Sequence, residues 1–177
     1  SEAGRFFTAF AFVSMFAVLP DFGVSMLVVR EGARKPAKAA ECFGSGLALF
    51  GLTAALTYGL MLLGAWTLRY DARIVALIAV LSLVVIGKAG EVMAGTGLQL
   101  SERLPWMAAA QWLGALLSLG GVYWCTVQDA PLMIIAIVIL AAGVVSFSMV
   151  LAAAIRLVPP KPGRMWAVVF LRRAWPF

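Results

Sequence analysis

Three side chains carry charge where the surrounding sequence is almost wholly apolar: Asp21 in "AVLPDFGVSMLVV", and Lys88 with Glu91 in "VVIGKAGEVMAG". An ionised group at hydrocarbon depth is costly unless it is paired or hydrated, so each of the three marks a candidate working site. Lys88 and Glu91 are three residues apart, which sets them on one face of a helix and within reach of each other. At the helical rise of about 1.5 Å per residue, Asp21 lies roughly 13 Å before Arg30 and Glu91 roughly 15 Å before Ser101. The three groups therefore share a depth if their segments run the same way, and neighbouring segments would gather them into one cluster. Such a cluster has two roles open to it. It can be a buried ion-pair network that sets helix register, or it can line a hydrated cavity and answer to substrate, proton or cation. Pro20, directly before Asp21, favours a kink that frees backbone carbonyls beside the carboxylate.

The elements that must position these residues follow from composition. The chain has 177 residues, of which 63% are hydrophobic and 12% charged, with a mean hydropathy of +1.00. Soluble domains carry roughly a quarter charged residues. The sequence therefore reads as all-α, a polytopic transmembrane helix bundle. A crossing helix needs about 20 apolar residues, and five runs qualify: 6–29, 40–67, 74–100, 106–127 and 132–157. The basic stretch "REGARKPAKAAE" separates the first two, and "LRYDAR" separates the second from the third. Pro105 and Pro131 open their helices, where a missing N–H does no harm. Short connections make successive spans antiparallel neighbours, packed through small residues such as Gly44, Gly46 and Gly51, or Gly114 and Gly121. Residues 158–177 begin with "VPPKPGR", which cannot continue a helix, and read as a cytoplasmic interfacial linker to a further span.

Charge sets orientation. Of the 14 Lys and Arg residues, ten fall on one side (Arg30, Arg34, Lys35, Lys38, Arg103, Arg156, Lys161, Arg164, Arg172 and Arg173), three on the other (Arg5, Arg69 and Arg73), and Lys88 within a span. The richer side is expected to be cytoplasmic, with the basic loops 30–38 and 156–173 inside and the first span descending into the cell. The net charge of +6 is then a matter of topology, and nucleic acid is not an expected partner. The opening "SEAGRFF", without an initiator methionine, and the closing "LRRAWPF" read as the ends of a fragment.

Motifs for bond-making chemistry are missing from the sequence. It has no histidine, no GxSxG, no Walker A and no metal-ligand spacing, so it is not read as an enzyme and no cofactor is expected. Cys42 and Cys125, far apart and on different spans, read as packing residues. The intramembrane hydroxyls and amides Thr53, Thr57, Thr96, Gln99, Gln111, Ser118, Ser146 and Ser148 more often bond neighbouring helices than line a pathway.

The stretch "GRFFTAFAFVSMFAVLPDFGVSMLVVREGARKPAKAAECFGSGLAL" resembles the second span, first cytoplasmic loop and third span of the polysaccharide-biosynthesis flippases. These are lipid-linked oligosaccharide exporters of the multidrug/oligosaccharidyl-lipid/polysaccharide superfamily. The resemblance is carried by Gly4, Phe6, Asp21, Phe22, Gly23, Arg30, Glu31 and Arg34, with weaker support from "QWLGALLSLGGVYW" and "LRRAWPF". It implies spans two to six of a two-lobed transporter of the bacterial cytoplasmic (inner) membrane, with the C-terminal lobe of the same chain as a partner. It further implies a substrate carried on polyprenyl pyrophosphate, moved by alternating access, with a coupling cation or proton. Asp21, Lys88 and Glu91 are then the substrate or ion-pathway candidates. Lys88 is the candidate pyrophosphate holder, and Arg30 and Arg34 are phosphate candidates at the cytoplasmic mouth. Two other readings stand beside it: a cation-coupled multidrug exporter of the same superfamily, and a non-transporting five-span membrane scaffold.

Overall fold

The computed structural model describes residues 2–161. Arg164, Arg172, Arg173 and the expected interfacial stretch from Met165 onward lie outside them. The described residues form six α-helices with no strand among them: α1 (Glu2–Met15), α2 (Val24–Arg34), α3 (Ala39–Thr67), α4 (Ala72–Leu100), α5 (Leu104–Val127) and α6 (Leu132–Leu157). A short 3-10 turn, Pro36–Lys38, leads into α3.

Four of the five expected spans appear as single helices, with ends within two residues of those read from hydropathy. The first does not. The run 6–29 is interrupted at residues 16–23, so that α1 and α2 are separate helices joined by turns. Pro20 has no N–H to extend the ladder, and Phe22 (φ 39°) and Gly23 (φ 77°) are both left-handed, a backbone state that ends a right-handed helix. The expected kink is thus a break. The basic stretch "REGARKPAKAAE" also differs from a loop: α2 runs on to Arg34, and Lys35 alone separates it from the 3-10 turn.

Among the described residues, three segments are long and apolar enough to cross a membrane: Pro36–Thr67, Ala72–Leu100 and Leu132–Leu157. Helix α5 has 24 residues, about 36 Å at the helical rise, but its tryptophans, Gln111 and Tyr123 dilute its apolar character. The break leaves α1 and α2 too short to qualify singly.

Helix α4 is the hub. It packs against α6 most extensively, then against α3, α1 and α2, while α5 is held chiefly by α6. The reason is local. The segment "GKAGEVMAGTG" carries four glycines, and three of them receive a neighbouring side chain: Gly90 meets Phe147 and Phe50, Gly95 meets Met107, and Gly97 meets Phe43 and Ala154, whereas Gly87 meets nothing within 4 Å. In a bilayer, where lipid tails are as apolar as leucine, such close approach replaces the hydrophobic effect as the source of helix association. Of the glycines expected to pack, Gly46 meets Val28 and Met93, Gly114 meets Ser146 and Gly121 meets Val138, whereas Gly51 faces open space. Gly44 meets the Lys161 backbone, whose N–H donates to the Ala40 carbonyl.

The outside of the bundle is apolar. Phe7, Met26, Trp112, Leu116 and Tyr123 are all more than half exposed, the inverse of a soluble surface. The two ends differ in charge. Arg5 lies 3.9 Å from Asp71 and shares a cavity with Arg73 and Pro131, which places Arg5 and Arg73 together at one end. Gly32 lies against Leu100, and the Lys161–Ala40 bond ties the end of α6 to the start of α3, which gathers Arg30, Arg34, Lys35, Lys38, Arg103, Arg156 and Lys161 at the other.

Candidate functional site

Midway along α4 the Lys88 ammonium donates to Glu91 Oε2 at 3.0 Å, as their spacing on one helix face requires. The two partners differ sharply in environment. The Lys88 side chain is 61% exposed and that of Glu91 is 2% exposed, so the cation is presented outward and the anion is drawn into the bundle.

What holds Glu91 there is Ser146 of α6. Its hydroxyl donates to Glu91 Oε1 at 2.7 Å and also lies 3.1 Å from the Ala110 carbonyl oxygen of α5. One fully buried hydroxyl thereby links α4, α5 and α6. Gly114 makes room for it, because a Cβ at that position would come within 2.7 Å of Ser146 Cβ. Of the polar residues left open by the sequence, Ser146 is thus the one attached to the charged pair. The signal that would have singled it out is a long-range contact, 55 positions away in sequence.

On the outward side, Lys88 lines a cavity of about 410 Å³ between α4, α5 and α6, whose wall includes Gly114, Ser118, Leu119, Ile139 and Gly143. Lys88 is its only charged lining residue among the described residues. Most of the other candidates satisfy backbone locally: Thr57 bonds the Thr53 carbonyl, Thr96 that of Met93 and Ser148 that of Val144.

Asp21 is not part of this group, and no ion pair joins it to Lys88 among the described residues. It sits in the break and caps α2. Oδ1 accepts the Ser25 N–H at 3.1 Å and Oδ2 accepts the Ser25 hydroxyl at 2.7 Å, satisfying one of the free donors at a helix N-terminus. The carbonyl freed by the break, that of Pro20, accepts the Thr53 hydroxyl of α3 at 2.6 Å. The expected three-membered cluster is therefore a pair, Lys88 and Glu91, with Asp21 serving the broken helix.

Arg30 and Arg34 flank Glu31 at the last turn of α2, at 3.9 Å and 3.7 Å from its Oε1. Their own side chains are more than half exposed, while Glu31 is buried. Sequence reasoning placed Glu31 in a loop and missed this buried carboxylate, although its spacing to Arg34 was a signal. Cys42 and Cys125 are both buried and free, on α3 and α5.

Comparison with known protein families, with curated proteins and with solved structures returns no match to this chain.

Proposed function

We propose that the chain is a transporter segment that moves a lipid-linked oligosaccharide across the bacterial cytoplasmic membrane, with Lys88 meeting the pyrophosphate. One observation carries the reading: a lysine ammonium offered to a cavity midway along the central helix, its counter-ion anchored behind it by a hydroxyl from another helix. The pair is asymmetric, with the carboxylate buried and the cation left accessible to a ligand. The resemblance of the Gly4–Arg34 region to the polysaccharide-biosynthesis flippases supplies the substrate class. In this reading α1 and α2 together make one broken crossing and α5 makes another, for five in all, and the Arg30 end of the bundle faces the cytoplasm. Broken helices suit transporters because irregular backbone is tolerated at membrane depth where it is buried in protein or lines a cavity. Arg30 and Arg34, exposed at the cytoplasmic end, attract the phosphate groups before entry.

The buried Glu91 also suits a cation-coupled multidrug exporter of the same superfamily, and one experiment separates the two. In a strain deleted for this gene, loss of surface glycan with unchanged drug tolerance supports the lipid-linked substrate. The opposite pattern supports the drug exporter and refutes the glycan reading.

A further inference from the structure

We infer that the cavity between α4, α5 and α6 binds an anion borne on a hydrocarbon chain, the acidic group on Lys88 and the chain along the α5–α6 wall. The natural ligand's identity rests on the transport reading above, whereas the site itself rests on geometry. An ammonium has three donors, and the Lys88 ammonium gives one to Glu91 as its hydrogen-bond partner among the described residues. The remaining donors point from a side chain that is 61% exposed in a region where hydrocarbon cannot satisfy them.

The cavity meets the cationic end of the Lys88–Glu91 pair. Glu91 is 2% exposed, and its second oxygen is engaged by the fully buried Ser146 hydroxyl. The wall is otherwise apolar: among the described residues, Ser118 is the only other lining residue with a polar side chain. A sugar would lose its hydrogen bonds there, while a hydrocarbon chain would not. Its lining takes in Val84 and Lys88 of α4, Gly114 to Val122 of α5, and Ile139 to Gly143 of α6. At about 410 Å³ it falls within the roughly 300–1,000 Å³ of small-molecule sites. Gly143 contributes directly, since a Cβ there would meet nothing within 4 Å. The open space at that position is the cavity.

The test uses the chain in nanodiscs with two diazirine probes, a photoreactive palmitic acid and a photoreactive polyprenyl phosphate, and maps the labelled residues by mass spectrometry. Both probes should concentrate on residues 118–122 and 139–143. Lys88→Gln should weaken that labelling about tenfold, the size of one lost charge-assisted contact, and Lys88→Arg should retain it. Gly143→Leu should block it with the melting temperature unchanged, which covers the case in which Lys88→Gln does not fold. Labelling there no stronger than at the outward-facing Trp112 and Leu116, or indifferent to both Lys88→Gln and Gly143→Leu, overturns the inference. Site-specific labelling by palmitic acid alone upholds the site and removes the polyprenyl substrate. Diffuse labelling by both probes, with glycan export still dependent on Lys88, removes the chain site and leaves the transport reading standing.

Discussion

At the scale of single residues, the account turns on the different surroundings of Lys88 and Glu91. Removing Lys88 alone leaves a buried carboxylate without its cation, but the Lys88 side chain is 61% exposed and the pair is partly screened, so Lys88→Met should destabilise the protein by about 1–3 kcal/mol. Replacing both, as Lys88→Met with Glu91→Leu, should recover most of that loss, because a leucine at the buried Glu91 position needs no partner. Thermal melts of the two single variants and the double variant in detergent would measure the coupling between them. Near-additive losses would show that the pair does not interact in solution. Ser146→Ala removes the donor to Glu91 Oε1 and should cost about 1–3 kcal/mol. Gly114→Ala should act on the same contact by pushing Ser146 away, with a similar cost of about 1–3 kcal/mol for overpacking. If Ser146→Ala melts with the wild type, the three-helix link is not holding Glu91.

At the scale of elements, the break between α1 and α2 is the feature that hydropathy could not show. Phe16, Ala17, Val18 and Leu19 continue the apolar run without change, so a window average sees one span. The information lay in Pro20 and Gly23, and it gave a kink because the left-handed turn at Phe22 and Gly23 is set by what surrounds it: the Asp21 cap on Ser25 and the Thr53 hydroxyl on the Pro20 carbonyl. A Cβ at Gly23 meets nothing within 4 Å, so Gly23→Ala isolates the backbone term and should cost about 1–2 kcal/mol. Asp21→Ala should cost about 0.5–2 kcal/mol through loss of the cap. Hydrogen exchange read over residues 24–28 should quicken in Asp21→Ala and stay unchanged over α4; unchanged exchange at both places would remove the capping role. The other helix ends were legible because each is marked by proline, glycine or charge at a short turn. The membership of the site was half legible. Lys88 and Glu91 declared themselves by spacing on one helix, whereas Ser146 and the exclusion of Asp21 depend on how separate helices pack, and one sequence carries no signal for that.

At the scale of the whole molecule, the bundle has one strongly basic end and one sparsely basic end, with an apolar flank between them and a lysine-bearing cavity at mid-height. The orientation this implies can be tested in intact cells. In an otherwise cysteine-free chain, a cysteine at Gln128 should react with a membrane-impermeant maleimide added outside, and one at Ala37 should react only after the cells are opened. The reverse pattern would invert the topology and place Arg30 and Arg34 on the wrong side to meet a substrate made in the cytoplasm. The central claim is that the Lys88–Glu91 pair acts on a lipid-linked glycan and is more than an internal tie. The most direct test is surface glycan display in cells whose own gene carries Lys88→Met with Glu91→Leu, scored against the amount of protein in the membrane. The account predicts loss of display at a normal protein level; normal display at that level would contradict it and leave the pair a structural tie.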